Sequence, residues 1–142
     1  MTETGGYLID TNVISELRRN KPHGSVVAWI KAMAASRYFV SAFSIAELQA
    51  GVERVRDHNP AKAIEIEAWI DRICQTWSML PMDAAVCRQW ARETKGKSDA
   101  LFEDAWIAAT ARVHGLTVVT RNSKDFDAFR IATLNPFAYR GE

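Results

Sequence analysis

Acidic residues stand at four places in the 142-residue sequence where a predicted strand or helix begins or ends. Carboxylates that lie close together repel one another and shift each other's pKa unless a cation neutralises them. Their oxygens suit Mg2+, which binds through one or two carboxylates and keeps several waters, and Mn2+ accepts the same ligands. A water activated by such a cation can hydrolyse a phosphodiester. The four residues that could form this site are Asp10, Glu47, Asp104 and Asp125.

Short apolar strands and longer amphipathic helices alternate along the chain and must position these residues. Strands are predicted at 7–9, 38–41, 77–80, 116–120 and 131–134, with helices between them. This alternation indicates an α/β domain with a mostly parallel sheet that helices flank on both faces.

Three of the acidic residues share one predicted edge of this sheet. Asp10, Glu47 and Asp125 each come soon after a strand, and the carboxyl ends of parallel strands meet at one edge. Asp104 instead begins the helix that leads into the strand at 116–120. A right-handed crossover would bring the start of that helix to the same edge. We therefore expect all four carboxylates to converge.

Asp10 also has two other interpretations. It can serve only the turn between strand and helix, with Thr11 or Asn12 capping the helix. The run Asp10-Thr11-Asn12-Val13 also resembles the Asp-x-Asp-x-Val nucleophile motif of haloacid-dehalogenase-type phosphatases. Asn12 stands where those enzymes carry their general acid, and an amide cannot protonate a leaving group. Their later Gly-Asp-x-x-x-Asp signature is missing from the sequence as well, which argues against a phosphatase.

The other acidic residues have structural alternatives too. Ser44-x-x-Glu47 matches a capping box, in which Glu47 reaches back to the Ser44 amide. Asp104 can simply stabilise its helix, because a carboxylate is favourable at the positive N-terminal end. Asp125 can have the same role if Ser123 caps a helix there. These alternatives explain each residue singly, whereas a cation site explains all four together.

Composition indicates a globular protein of one domain, 1–142. The hydrophobic share is 48% and the charged share 25%, which is typical of folded chains. No apolar run approaches the roughly 20 residues of a membrane span, and residues 1–6 lack the features of a signal peptide. Cys74 and Cys87 have no metal-type spacing, so we interpret them as buried free thiols in a reducing cytoplasm.

Motifs follow one another along the chain in a fixed order. The segments are Leu8-Ile9-Asp10-Thr11-Asn12, Ser44-Ile45-Ala46-Glu47-Leu48 with Gly51, Asp104-Ala105-Trp106-Ile107-Ala108, His114-Gly115-Leu116 and Thr120-Arg121-Asn122. This combination resembles the PIN domains of bacterial toxin–antitoxin toxins, and most closely VapC-type toxins of the FitB-like kind. The resemblance runs from about residue 7 to residue 137, nearly the whole chain.

The resemblance implies a PIN-like three-layer α/β/α sandwich with a mostly parallel central sheet. It also implies a Mg2+- or Mn2+-dependent endoribonuclease, the toxin of a type II toxin–antitoxin pair, that cuts RNA with a metal-activated water. A small cognate antitoxin would occlude the acidic pocket, and a homodimer is expected, with no membrane partner. The alternative is a PIN-like RNA-binding or assembly module with weak or no catalysis.

Residue by residue, the resemblance assigns Asp10, Glu47 and Asp104 to the family's three acidic positions. Asp10 and Asp104 would be the principal metal ligands, directly or through water. Glu47 would complete the pocket and orient or deprotonate the attacking water. At the fourth position some relatives carry aspartate where this chain has Asn122, and Asp125 lies three residues further on. Either of these two residues could fill it.

Polar and basic residues of the same motifs receive supporting roles. Thr11, Asn12, Thr120 and Asn122 would hold the carboxylates in place by hydrogen bonds. Of the eighteen basic residues twelve are arginine, a side chain suited to planar recognition of phosphate. The candidates for contacts with the RNA backbone are Arg18, Arg54, Arg121 and Lys124.

Overall fold

The computed structural model describes residues 5–141. Within that range five strands form one sheet, in the order β3-β2-β1-β4-β5, and every neighbouring pair is parallel. The predicted α/β fold with a parallel sheet between helices is therefore confirmed. The strands are β1 Tyr7–Ile9, β2 Tyr38–Ser41, β3 Ser78–Leu80, β4 Thr117–Val119 and β5 Thr133–Leu134.

Six α-helices connect or flank the strands within the described range. The chain builds β1, β2 and β3 toward one edge of the sheet and then crosses back to place β4 and β5 on the other side of β1, so the strand order reverses between β1 and β4. Ligands bind at the carboxyl ends of the strands at such a switch point. The helices are α1 Thr11–Arg18, α2 Gly24–Ala32, α3 Ala42–Arg56, α4 Pro60–Thr76, α5 Ala84–Thr94 and α6 Phe102–His114.

The central strand β1 contributes to two hydrophobic clusters, because successive side chains of a strand point to opposite faces. Leu8 is fully buried and belongs to a cluster with α6 and the 3₁₀ helix Ser123–Phe129. Ile9 is fully buried and belongs to a cluster with α1 and α2. Burying each side chain stabilises the fold by roughly 1.5–3 kcal/mol. The two clusters hold β1 on both of its faces and so fix the position of its carboxyl end.

Helix α1 is capped by a different residue from those expected. Asp10 is the N-cap, and its Oδ1 accepts from the backbone N–H of Thr11 at 2.8 Å. Capping by Thr11 or Asn12 is therefore wrong: both lie inside the helix. The helix starts one residue earlier because Asp10, directly after the strand, already supplies an acceptor for its first amides.

Helix α3 begins at Ala42, before the predicted start at Ser44. Ser41, the last residue of β2, caps the helix by accepting from the N–H of Phe43 at 3.0 Å. Ser44 therefore lies inside the helix and is fully buried, and Glu47 is beyond the first turn. The predicted capping box is wrong, because Ser44 lies inside the helix and Ser41 occupies the N-cap position.

Other local predictions divide between confirmed and wrong. The pair Asn59-Pro60 predicts a helix start, which is confirmed: Asn59 caps α4 by accepting from a backbone N–H at 3.2 Å, and Pro60 is the first helical residue. Cys74 and Cys87 are free but exposed, so the prediction of buried thiols is wrong. In α4 the buried stripe is formed by Ala63, Ile70 and Ile73, which are seven and three positions apart, and this turns Cys74 outward. No helix of the described part of the chain combines the length and the hydropathy needed to span a membrane.

Candidate active site

Asp10 lies at the switch point of the sheet and is held by three donors. Its Oδ2 accepts from Thr120 Oγ1 at 2.8 Å and from Asn12 Nδ2 at 3.3 Å. Its Oδ1 accepts from the Thr11 backbone amide. Thr120 directly follows β4, so the carboxyl ends of the two adjacent strands fix one buried carboxylate. The orientation of this group is thereby determined before any ligand binds.

Glu47 reaches the same edge from α3 through a chain of hydroxyl groups. Thr11 Oγ1 lies 2.6 Å from Glu47 Oε1 and 2.7 Å from Ser44 Oγ. A hydroxyl group has one proton, so Thr11 donates to the carboxylate and accepts from Ser44. This chain positions Glu47 and satisfies the buried Ser44 hydroxyl. Ser44 was not predicted as a supporting residue, because its spacing from Glu47 favours a helix cap at that position.

A cavity of about 500 Å3 opens at this edge and is lined by five carboxylates. Four are the acidic residues that the sequence indicated, so the structure brings all of them to one site. The fifth, Glu103, was missed, although its place beside Asp104 in the first turn of α6 was a signal for it. The carboxylates are Asp10, Glu47, Glu103, Asp104 and Asp125.

Burial and mutual repulsion raise the pKa values of three of these groups. Partial burial and then the charge of Asp10 raise the pKa of Asp104 to about 6, with Asp125 and Glu47 adding to the effect. Burial also raises the pKa of Asp10 and that of Glu47, although hydrogen bonds to each oppose the shift. A bound cation would reverse these shifts by neutralising the negative charge.

The donor set fits a hard divalent cation bound with the help of water. Every ligand atom that the cavity offers from its acidic side chains is oxygen, and none of the three histidines lines it. Within residues 5–141, no group of three or more His, Cys, Asp or Glu side chains is close enough to hold a metal ion. An all-protein cage is therefore not preformed. One or two carboxylates with several waters is the usual arrangement for Mg2+.

The fourth acidic position has two candidates, one neutral and one charged. Asn122 and Asp125 both line the cavity. The backbone N–H of Asn122 donates to Thr120 Oγ1 at 3.1 Å, whereas its side-chain amide has no hydrogen bond to a carboxylate in the described part of the chain. Asp125 contributes charge, since it raises the pKa values of Asp10 and Asp104.

Ser123 does not cap the segment that carries Asp125. It is the first residue of the 3₁₀ helix Ser123–Phe129, whose N-cap position is Asn122, and no side chain makes the cap hydrogen bond there. The predicted Ser123 cap is therefore wrong. The backbone N–H of Asp125 instead donates to the Asn122 carbonyl at 3.0 Å, a local turn that leaves the carboxylate to face the cavity.

The basic candidates separate into two groups. Arg18 and Arg54 line the acidic cavity. Arg121 and Lys124 do not line it, and the Arg121 guanidinium lies over the Phe137 ring, 4.5 Å from its centroid. All four were predicted to contact the RNA backbone, and the structure places only Arg18 and Arg54 at the cavity.

Comparison with known proteins agrees with this geometry. The sequence model of the PIN domain matches residues 7–131. The chain belongs to the PIN domain family. This PIN domain is 36% identical over 137 residues to Toxin FitB of Neisseria gonorrhoeae, covering 92% of this chain and 97% of that protein. It is 34% identical over 142 residues to VapC ribonuclease Y4jK of Sinorhizobium fredii, covering 92% of this chain and 96% of that protein.

Solved structures show the same fold. The PIN domain superposes on the structure of FitAB bound to the IR36 DNA fragment with a TM-score of 0.80 and 34% identity, covering 94% of this chain and 97% of that one. It superposes on FitAcB from Neisseria gonorrhoeae with a TM-score of 0.75 and 36% identity, covering 93% and 99%. The resemblance to FitB-like toxins is confirmed.

Proposed function

We propose that this PIN domain is a divalent-cation-dependent endoribonuclease and the toxin of a toxin–antitoxin pair. The observation that carries the proposal is the convergence of five carboxylates in one cavity at the switch point of the sheet. Relatives named VapC ribonuclease and Toxin FitB support it. Mg2+ is the preferred cation and Mn2+ an alternative, because both take oxygen ligands. The cytoplasm, where RNA is available, is the proposed location.

Asp10 and Asp104 would hold the cation, and Glu47 would act on the water that attacks the phosphodiester. The cation supplies Lewis-acid activation of water and neutralises charge on the phosphate. Thr11 donates to Glu47 Oε1, whereas Oε2 accepts no hydrogen bond in the described part of the chain, so Oε2 would orient the water and accept its proton.

Hydrogen bonds keep these groups in place during the reaction. Thr120 and Asn12 hold Asp10 Oδ2, and the chain from Ser44 through Thr11 holds Glu47. Because these donors come from β4, α1 and α3, the orientation depends on the packing of the whole sheet edge. Groups fixed in this way need no reorganisation in the transition state.

One observation favours the alternative function, an RNA-binding or assembly module with weak or no catalysis. The acidic side chains among residues 5–141 do not form a preassembled metal cluster. A catalyst would then need the cation and its waters to draw the carboxylates together. Metal-dependent turnover separates the two functions, because the module would bind RNA without cutting it.

The test is incubation with total RNA, followed by sequencing of the cleavage ends. Hydrolysis by water does not use the ribose 2′-hydroxyl as nucleophile, so we expect 5′-phosphate and 3′-hydroxyl ends. Activity should be lost in chelator and restored by Mg2+ or Mn2+. Ends with 2′,3′-cyclic phosphate, produced equally well in chelator, would contradict the proposal.

The cognate antitoxin would bind at the same cavity. The wall of the cavity continues from the carboxylates to an apolar surface formed by α3 and α4. The cavity therefore suits a peptide segment that has apolar residues and one basic side chain. We expect the antitoxin to lay its C-terminal segment on that surface and insert an arginine or lysine among the acids. Neutralising this basic residue should release RNA cleavage in the co-purified complex, and continued full inhibition would contradict the mode. The apolar residues are Leu48, Val52, Val55, Ile66 and Trp69.

A further inference from the structure

A second cavity, of about 530 Å3, lies where the end of α1 meets the start of α4. Four of its five lining residues are basic, and the fifth is an asparagine. We call it the basic cavity. The carboxylates that line the neighbouring acidic cavity are not among its lining residues. The basic cavity is lined by Arg18, Arg19, Asn20, Lys21 and Lys62.

Carboxylates neutralise only part of its charge. Arg19 Nη1 lies 3.3 Å from Glu16 Oε1, and Lys62 Nζ lies 3.5 Å from Glu65 Oε2. Within residues 5–141 neither of the other two cations, Arg18 and Lys21, is in a salt bridge. Four cations against two carboxylates leave a net charge of +2 at this surface. An excess of positive charge in a concave surface favours an anionic ligand.

Lys62 stands where helix stability disfavours a cation. It is in the first turn of α4, a 17-residue helix with no acidic residue in that turn. The N-terminal end of a helix carries partial positive charge, so a lysine there is unfavourable and an anion is favourable. Arg18, in contrast, is in the last turn of α1, where a cation is stabilising. Helix position therefore favours a cation at Arg18 and disfavours one at Lys62, where the exposed pair with Glu65 offsets only part of that cost.

The two cavities are adjacent, since Arg18 lines both. The acidic cavity alone repels a polyanion, and a bound cation would neutralise only part of its charge. An RNA strand whose phosphodiester lies among the carboxylates must therefore gain attraction from cations that meet its neighbouring phosphates. Phosphate contacts supply most of the affinity of proteins for nucleic acids. The basic cavity offers such contacts on one side of the acidic one.

We propose that the basic cavity binds the phosphates of the substrate strand next to the one that is cut. Arg18 stands at the boundary between the cavities, and Lys21 and Lys62 extend the binding surface away from the carboxylates. The proposal rests on the proposed function, because it gives the RNA one path across the surface. The contacts are to phosphate, so they carry no base preference.

The test is the salt dependence of binding by the Lys21→Gln/Lys62→Gln variant. A fluorescent single-stranded RNA is titrated with protein in chelator, so that binding is measured without cleavage, at several salt concentrations. Each phosphate contact to a single strand contributes about 0.7 to the slope of log K against log salt. We expect the double variant to lower the steepness of that slope by about 1.4. Single-stranded DNA of the same sequence should show the same loss.

The matched control is Arg88→Gln/Lys95→Gln, which removes the same charge from residues of α5 and its C-cap that line neither cavity. Its slope should equal that of wild type. Thermal melting should also show Lys62→Gln close to wild type in stability, because the relief of an unfavourable charge at the helix start offsets the loss of the exposed pair with Glu65.

Three outcomes would overturn the proposal. If wild type cuts RNA but both double variants lower the slope equally, only net charge matters and the function stands without this site. A loss confined to RNA would mean recognition of the 2′-hydroxyl rather than phosphate. Wild-type protein that neither binds nor cuts RNA would remove the proposed function and this inference with it.

Discussion

Two carboxylates of the same helix region have similarly low solvent exposure, yet their pKa values shift in opposite directions, because burial is the largest influence on one and a hydrogen bond on the other. Asp10, the N-cap of α1, is 8% exposed, and Glu16, near the end of that helix, is 6% exposed. The pKa of Glu16 is lowered, first by the hydrogen bond from the His23 backbone N–H at 2.8 Å and then by Arg19. The pKa of Asp10 is raised by burial, and Asp125 adds to the shift. Burial alone therefore does not identify a functional carboxylate.

The difference lies in what the fold supplies to neutralise each group. Glu16 receives a guanidinium and a backbone amide, and the buried Glu93 likewise receives Arg112 and Gln89. Asp10 receives neutral donors and faces other carboxylates. The protein itself completes the environment of the first two groups, whereas within residues 5–141 none of the five carboxylates of the acidic cavity is in a salt bridge, although Arg18 and Arg54 line it.

The largest expected effect concerns cleavage. Asp104→Asn should lower the rate of RNA cleavage in Mg2+ by orders of magnitude, because it removes a proposed metal ligand. Glu93→Gln is the control, since it neutralises a carboxylate that is more buried than Asp104 but lies on α5, outside the cavity. Single-turnover cleavage of a labelled RNA measures both. If Asp104→Asn cuts within a few-fold of wild type, Asp104 is only a helix-start residue.

The next effect is the stabilisation that a bound cation provides. At a Mg2+ concentration a hundredfold above the dissociation constant, wild type should gain about 2.7 kcal/mol in free energy of unfolding. Asp104→Asn should gain much less. In chelator the same variant should melt no lower than wild type, because one charge fewer relieves repulsion in the cavity. Melting curves of both proteins in chelator and in Mg2+ give the four values. Equal gains for the two proteins would contradict the ligand role.

Much of the fold follows from local sequence. The strand from Tyr7 to Ile9 is an apolar run with a β-branched residue. Glycine favours the left-handed conformation that ends a helix, and Gly115 ends α6 with a positive φ of 66°. The predicted start of α3 was wrong because Ser41 and Ser44 can both cap a helix. Only the pairing of β2 through Ser41 with Leu80 decides between them, and that contact is distant in sequence.

The site was predictable where strand ends determine it and unpredictable where it depends on tertiary contacts. Asp10 could be placed from the end of β1 alone. The chain from Ser44 through Thr11 to Glu47 joins residues 33 and 36 positions apart, and no local pattern indicates such a contact. The basic cavity is another example, because Lys62 joins a cluster from α1 that lies some forty residues earlier.

The smallest expected effect is on the pH dependence of stability, to which Asp104 and Glu16 contribute with opposite signs. The pKa of Asp104 rises from 3.8 to about 6 on folding, so between these values the native state binds more protons than the unfolded state. The free energy of unfolding must then fall as pH rises through that window. Glu16 has the opposite sign, since its pKa is lowered on folding. Its contribution is present above its unfolded pKa and is lost as pH falls through its folded pKa.

Urea unfolding in chelator at pH 5 and pH 7 isolates Asp104, because this window lies above the pKa of Glu16 in either state. One pKa unit corresponds to about 1.36 kcal/mol, and solvent screening of a half-buried group reduces it. We therefore expect wild type to lose about 1 kcal/mol between pH 5 and pH 7 that Asp104→Asn does not lose. Comparing the two proteins cancels the titration of the histidines. An identical pH dependence for both would mean that Asp104 does not carry the repulsion of the acidic cavity, and Asp10 or Glu47 would be substituted next in the same assay.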